Sequence, residues 1–375
     1  MEVAVDNVTD DYSYVYAEQD VYAQFLELWD ESSLGVTNKV LQVYFVPVFI
    51  ILGSIGNILL YALTSQRLAN KFSVFVYVRV YAVLCTLALC LLSSEEWLYE
   101  VSSVRNIERQ SDWLCRLHRF IDQLVRRAPA GMVVFMVADR AVFIYSATRA
   151  KSLCTVFTAK VLSICSVLFC VAVTVHLLWL HELRGSDTGD TFCSETEHRY
   201  LYEHIWMKVV NVALLYAPVV LVMTSVVAIA ARVTHMAWCR QSVGGDAQWQ
   251  LVATATSVGV VFLTLQLPSA VFGIIQSVVI IDSIHKQITI FFIFHFAQFL
   301  QSFLWSINLP LFLVTSPLLR HELRRQVCDR CCGRAVGQST NRCAAVSNIE
   351  EAITEKDGLM PKRGNRERTQ EVTQC

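Results

Sequence analysis

Seven apolar stretches, each long enough to cross a lipid bilayer as a helix, run through the chain: about 40–64, 73–93, 114–144, 159–180, 205–231, 250–280 and 288–314. A hydrocarbon core of about 30 Å takes about 20 helical residues per crossing. Within lipid every backbone N–H and C=O must bond inside the protein, so a spanning segment is a helix or a strand of a closed barrel. Barrel strands are about ten residues long and alternate strictly, whereas these runs are longer and continuously apolar. The expected fold is an all-α membrane protein, a seven-transmembrane helix bundle. Composition points the same way, with 54% apolar and 17% charged residues against roughly 45–50% and about 25% in soluble domains. The net charge of −1 argues against a nucleic-acid partner held by electrostatics. Thirteen cysteines in 375 residues are too sparse for a disulfide-stapled miniprotein, and most lie inside apolar runs.

Seven crossings put the two ends on opposite sides, and charge chooses which. One set of connections (1–39, 94–113, 181–204, 281–287) carries six basic residues, Lys39, Arg105, Arg109, Arg184, Arg199 and Lys286, beside 21 of the 32 carboxylates. The other set, with the stretch just after the last span (315–334), carries twelve: Arg67, Lys71, Arg149, Lys151, Lys160, Arg232, Arg240, Arg320, Arg324, Arg325, Arg330 and Arg334. The positive-inside rule then places the N-terminus outside and the C-terminus in the cytoplasm. Residues 1–37 hold no Lys or Arg and no apolar core of a signal peptide, so no cleavable leader is expected. Asn7-Val8-Thr9 is a glycosylation sequon, usable on an outward-facing tail.

Several landmarks occur in order along these spans. Gly56-Asn57 lies in the first. Cys115 precedes Arg140 of Asp139-Arg140-Ala141 by 25 residues in the third, and Cys193 lies in the long connection before the fifth. Pro218 follows in the fifth, Phe262 to Pro268 in the sixth and Asn308 in the seventh. Over residues 40–332 this order resembles the rhodopsin-like (class A) G protein-coupled receptors. The text of the first two spans and Leu265-Gln266-Leu267-Pro268 look most like invertebrate neuropeptide receptors of the FMRFamide or myoinhibitory-peptide kind.

The resemblance implies a Cys115–Cys193 disulfide. These are also the only cysteines in segments facing the oxidising side or at their membrane edge; two unpaired thiols are the alternative. It further implies activation and G protein-coupling roles for Asp139, Arg140, Asn57, Pro218, Phe262, Pro268 and Asn308. A membrane-edge arginine snorkelling to water is the plainer reading of Arg140. The sequence also departs from the family. Cys85 and Pro129 stand where its sodium pocket has an aspartate and a serine, which removes most oxygen ligands for a hard cation. Gln266 replaces the tryptophan of the sixth span. The last span reads Asn308-Leu309-Pro310-Leu311-Phe312 for Asn-Pro-x-x-Tyr, and the sixth begins with Gln248 and Gln250 in place of a basic cluster.

In the third span Arg119, Asp122, Gln123 and Arg126 share one helix face at i, i+3, i+4 and i+7. Such a stripe is too costly to face lipid and belongs inside the bundle. It serves either as a polar ligand site or as a self-neutralising set through the i, i+4 pair of Asp122 with Arg126. Arg127, on the neighbouring face, has no partner identifiable from sequence. The expected ligand pocket comprises Arg119, Asp122, Gln123, Arg126, Glu95, Tyr99, Gln266 and Gln298, with Glu96 and Trp97 beside Glu95. Two arginines near Asp122 speak against a biogenic amine, and the absence of a lysine in the last span against retinal. The acidic outer connections, with Tyr12, Tyr14, Tyr16 and Tyr22 among acids, favour a basic, amidated peptide.

Four regions are expected: an acidic extracellular tail (1–39), the bundle (40–314), an amphipathic helix with palmitoylation cysteines Cys328, Cys331 and Cys332 (315–332), and a disordered cytoplasmic tail (333–375). That helix sets Leu319, Leu323 and Val327 on one face. The tail offers Ser339, Thr340, Ser347, Thr354, Thr369 and Thr373 to phosphorylation, with arrestin as a reader. The function expected is ligand-driven activation of a heterotrimeric G protein at the plasma membrane, with no enzymatic chemistry, cofactor or metal. A non-signalling seven-helix binder or scaffold is the alternative. A transporter or intramembrane enzyme is disfavoured by the lack of HExxH, paired mid-membrane carboxylates or an inverted repeat.

Overall fold

The computed structural model describes residues 25, 27–64, 66–102, 110–185, 191–195, 208–238, 247–278 and 283–333. Among them, seven helices are long and apolar enough to cross a membrane: α1 (Ser33–Leu63), α2 (Ser73–Ser102), α3 (Asp112–Tyr145), α4 (Val156–Leu180), α5 (Lys208–Ala237), α6 (Ala247–Val278) and α7 (Ile284–Ser306). Two shorter helices follow, α8 (Asn308–Thr315) and α9 (Pro317–Gly333). The fold is an all-α seven-helix bundle.

Its burial pattern suits lipid. Tyr77, Tyr81, Phe75, Met132, Met136, Leu60 and Phe312 are fully buried where the helices meet, while Ile51, Leu52, Phe157, Ile164 and Val227 are more than half exposed. Apolar surface that extensive is not left to water in a soluble monomer. Small residues bring backbones close: a Cβ at Gly53 would lie 2.7 Å from Ser306 Cα on α7 and from Leu89 Cδ1 on α2. Pro218 has no N–H to give the Leu214 carbonyl, and the turn before it, Val212–Tyr216, winds as a π-helix.

Several boundaries depart from the sequence reading. Helix α1 starts at Ser33, inside the stretch assigned to the tail, because Ser32 caps it: its Oγ accepts from the Gly35 N–H at 2.9 Å. Just ahead, Trp29 packs edge-on against Phe291 of α7, ring centres 4.9 Å apart. The single span expected over 288–314 is broken at Ile307 (φ −83°, ψ 6°), between α7 and α8. Pro310 explains the break, since its ring would collide with the Ser306 carbonyl in a continuous helix. The amphipathic helix runs Pro317–Gly333, with Leu319 buried and Leu323 packed on the bundle, but Val327 is exposed. Glu322, on another face of α9, is buried and paired with Arg325 at 2.7 Å.

The long connection before α5 contains an antiparallel hairpin, β1 (His181–Gly185) with β2 (Thr191–Glu195), in which Leu183 pairs with Cys193. Cys193 is disulfide-bonded to Cys115 in the first turn of α3, with Cα atoms 5.6 Å apart. Asp112 Oδ1 accepts from the Leu183 N–H at 2.9 Å, and its other oxygen pairs with Arg116 at 2.8 Å. One covalent and one polar tie therefore fasten the hairpin to the head of α3.

Candidate functional site

The polar residues of the bundle gather at its two ends. At the end bearing the hairpin, a cavity of about 730 Å³ opens between α2, α3, α5, α6 and α7. Arg119, Asp122, Gln123, Arg126, Glu95, Tyr99, Gln266 and Gln298 all line it. Its depth is closed by Tyr81, Phe262 and Trp305, each nearly inaccessible. Trp97 does not line it: the indole N–H turns to the Val43 carbonyl of α1 at 3.2 Å.

The polar stripe of α3 divides into two sets with opposite electrostatics. Arg126 is shared between two carboxylates. It donates to Asp122 Oδ1 from Nη2 at 2.7 Å and from Nε at 3.2 Å, and its Nη2 also meets Glu96 Oε1 of α2 at 3.1 Å. Gln123 adds a donor to the second Asp122 oxygen at 3.4 Å. His118 Nε2 lies 2.5 Å from Glu95 Oε2, a second tie between α3 and α2. Asp122 and Glu96 thus share Arg126 inside the protein: the i, i+4 pair is the one the spacing offers, and the α2 carboxylate is one it does not reveal.

Arg127 differs. Its Nε donates to Gln123 Oε1 and its Nη2 to Asn211 Oδ1 of α5, both at 2.8 Å. Both acceptors are neutral amides. Its Nη1 is buried and has no hydrogen-bond partner, and no carboxylate among the described residues pairs with it. The sequence names Arg127 but gives it no partner and no place in the expected pocket; its position one turn after Gln123 was the available signal. It lines the cavity together with Asn211.

At the opposite end Asp139 and Arg140 are both buried. Arg140 pairs with Asp139 through Nη2, with Nε 3.0 Å from the same oxygen. Ser73, the first residue of α2, donates to Asp139 at 3.0 Å and accepts from Arg140 at 3.3 Å. Arg140 Nη1 then reaches across to Gln248 Oε1 in the first turn of α6 at 2.7 Å. A neutral amide thus ties the foot of α6 to α3. Cys154, beyond the end of α3, donates to the Asp139 carbonyl at 3.3 Å. Burial first, then the Asp139 charge, push its thiol up to about 12, so it stays protonated at neutral pH.

A third cluster lies between the two ends. Asn308 Nδ2 donates to Asn57 Oδ1 at 2.9 Å, and both side chains donate to the Trp305 carbonyl, at 3.0 and 2.9 Å. This ties α1 to the break after α7, directly behind the tryptophan at the cavity floor. Phe262 belongs to the main core, and Pro268 lies inside α6 without ending it. Cys85 and Pro129 are buried and bring no oxygen side-chain donor. Asn7 and the tail hydroxyls lie outside the described residues, and Cys328, Cys331 and Cys332 fall in α9, where the description does not extend to their side chains.

Comparison with protein-family models and with curated proteins finds no match to this sequence.

Proposed function

We propose that the protein is a receptor of the rhodopsin-like G protein-coupled kind, with its N-terminus outside the plasma membrane, a peptide ligand in the α2–α7 cavity and a heterotrimeric G protein at the opposite end. The observation that carries this reading is Arg140, a buried charge bonded to the foot of α6 through Gln248. A membrane-edge arginine that only snorkels to water has no reason to be buried and cross-linked to another helix. Opening α6 breaks one amide–guanidinium bond and exposes Arg140. A ligand that binds the open arrangement better than the closed one drives that change by differential affinity alone. Trp305 lines the cavity and its backbone carbonyl holds Asn57 and Asn308, so a ligand at the floor touches the residue that carries the polar tie. On this reading Asn7 carries glycan, Cys328, Cys331 and Cys332 carry palmitate at the inner leaflet, and the phosphorylated tail recruits arrestin.

A second reading, a non-signalling seven-helix binder, draws on Gln266 and Cys85, which stand in place of residues that the resembling family uses for switching. A cell assay covering several G protein subtypes separates the two. Challenged with a peptide library, wild type is expected to respond and Arg140→Ala to lose the response while reaching the surface normally. Silence from surface-expressed wild type toward every subtype and peptide would favour the binder.

A further inference from the structure

We propose that the cavity takes a ligand bearing a carboxylate and that Arg127 is the group that meets it. The inference deepens the receptor reading, on which its peptide context rests, but binding itself needs no G protein. Three cations of α3 line the cavity, Arg119, Arg126 and Arg127, and their circumstances differ. Arg126 is held by two carboxylates, whose combined charge outweighs its own and repels an anion. Arg127 has its plane fixed by two neutral carbonyl oxygens, from α3 and α5, and keeps a full charge with an Nη1 that no protein atom satisfies. A guanidinium at membrane depth without a counter-charge is costly. The side chain lines a cavity of about 730 Å³, from which a ligand oxyanion can give the guanidinium the charge-assisted bond that its two amide partners do not. Gln123 and Asn211 pre-set the orientation, so little side-chain entropy is lost on binding.

The α2 side of the same cavity carries Glu100, with Glu95 bound to His118 beside it. The two sides together suit a ligand with a cation at one end and an anion at the other, such as a peptide with a free carboxylate. An amidated peptide, the expectation from the acidic outer connections, has no charge to give Arg127 and leaves it unpaired.

The test uses purified protein in detergent and a pool of tripeptides in two matched forms, C-terminal free acid and C-terminal amide, read by thermal unfolding. The free-acid pool is expected to raise the wild-type midpoint above that with the amide pool, and Arg127→Gln to abolish the difference. Arg127→Lys, which keeps the charge, is expected to retain part of it. Without peptide, Arg127→Gln is expected to unfold at the wild-type temperature or higher, since it removes an unpaired charge. Equal effects of the two pools, no effect of either, a difference that survives in Arg127→Gln, or a peptide-free Arg127→Gln less stable than wild type would each overturn the proposal. Failure of the receptor reading would show instead as tripeptide binding with no nucleotide exchange on any G protein.

Discussion

Replacing Arg126 with methionine is expected to lower the stability of the folded protein by about 3 kcal/mol, the scale on which one partner of a buried ion pair is lost. In thermal unfolding this is a fall of about 4 °C for a chain of this size. The cause is what the variant leaves behind: Asp122 and Glu96, now held by one guanidinium, would face each other without a counter-charge. Methionine keeps most of the apolar volume, so the loss reports charge more than packing. Adding Asp122→Asn and Glu96→Gln is expected to recover most of the midpoint, because the triple variant buries no uncompensated ion. Failure of the triple variant to recover would assign the role of Arg126 to packing. The contrast with Arg127→Gln is sharp, since two adjacent arginines on one helix are expected to respond in opposite directions.

Breaking the disulfide carries the second large effect. Cys115 and Cys193 are 78 residues apart in sequence, and closing a loop of that length stabilises by about 4.5 kcal/mol in the chain-entropy account. Helices persist in lipid after the bundle comes apart, so the measured loss should fall below that figure. Cys115→Ser, Cys193→Ser and the double variant are expected to show the same reduced surface level and the same lowered midpoint, because each removes the same bond. A single variant much milder than the double would mean that the remaining thiol finds another partner. Asp112 bonds the Leu183 N–H independently, so the hairpin keeps one anchor and folding is weakened, not abolished.

What the sequence discloses here follows the range of the forces. Seven spans are legible because a bilayer enforces long apolar runs, and the inward face of α3 is legible because a charged stripe has nowhere else to go. The ends of α1 and α2 are not, since helices that continue past the hydrocarbon into polar residues lose the apolar signal, as at Ser33 and Ser102. Pairing follows the same division. Asp122 with Arg126 is a local i, i+4 contact and can be read from spacing. Glu96 with Arg126 spans 30 residues and Asn211 with Arg127 spans 84, and nothing in the one-dimensional text links them. Gln248 was visible only as a departure from a basic cluster. The structure gives it a partner, Arg140, that an uncharged acceptor suits. The break at Ile307 was within reach, because Pro310 marks it; the length of the apolar run concealed it. The β1–β2 hairpin follows from a register that no span count contains.

The central claim is that the Gln248–Arg140 bond holds α6 closed over a G protein site. The most direct test is basal GTP-for-GDP exchange on a panel of heterotrimeric G proteins by wild type, Gln248→Ala and Arg140→Ala reconstituted in lipid nanodiscs, each confirmed folded. Removing the amide costs the closed state one charge-assisted hydrogen bond, about 1.5–3 kcal/mol, so Gln248→Ala is expected to accelerate exchange about tenfold or more over wild type. Arg140→Ala is expected to show none above the receptor-free rate. Identical exchange by all three proteins on every G protein tested would contradict the account.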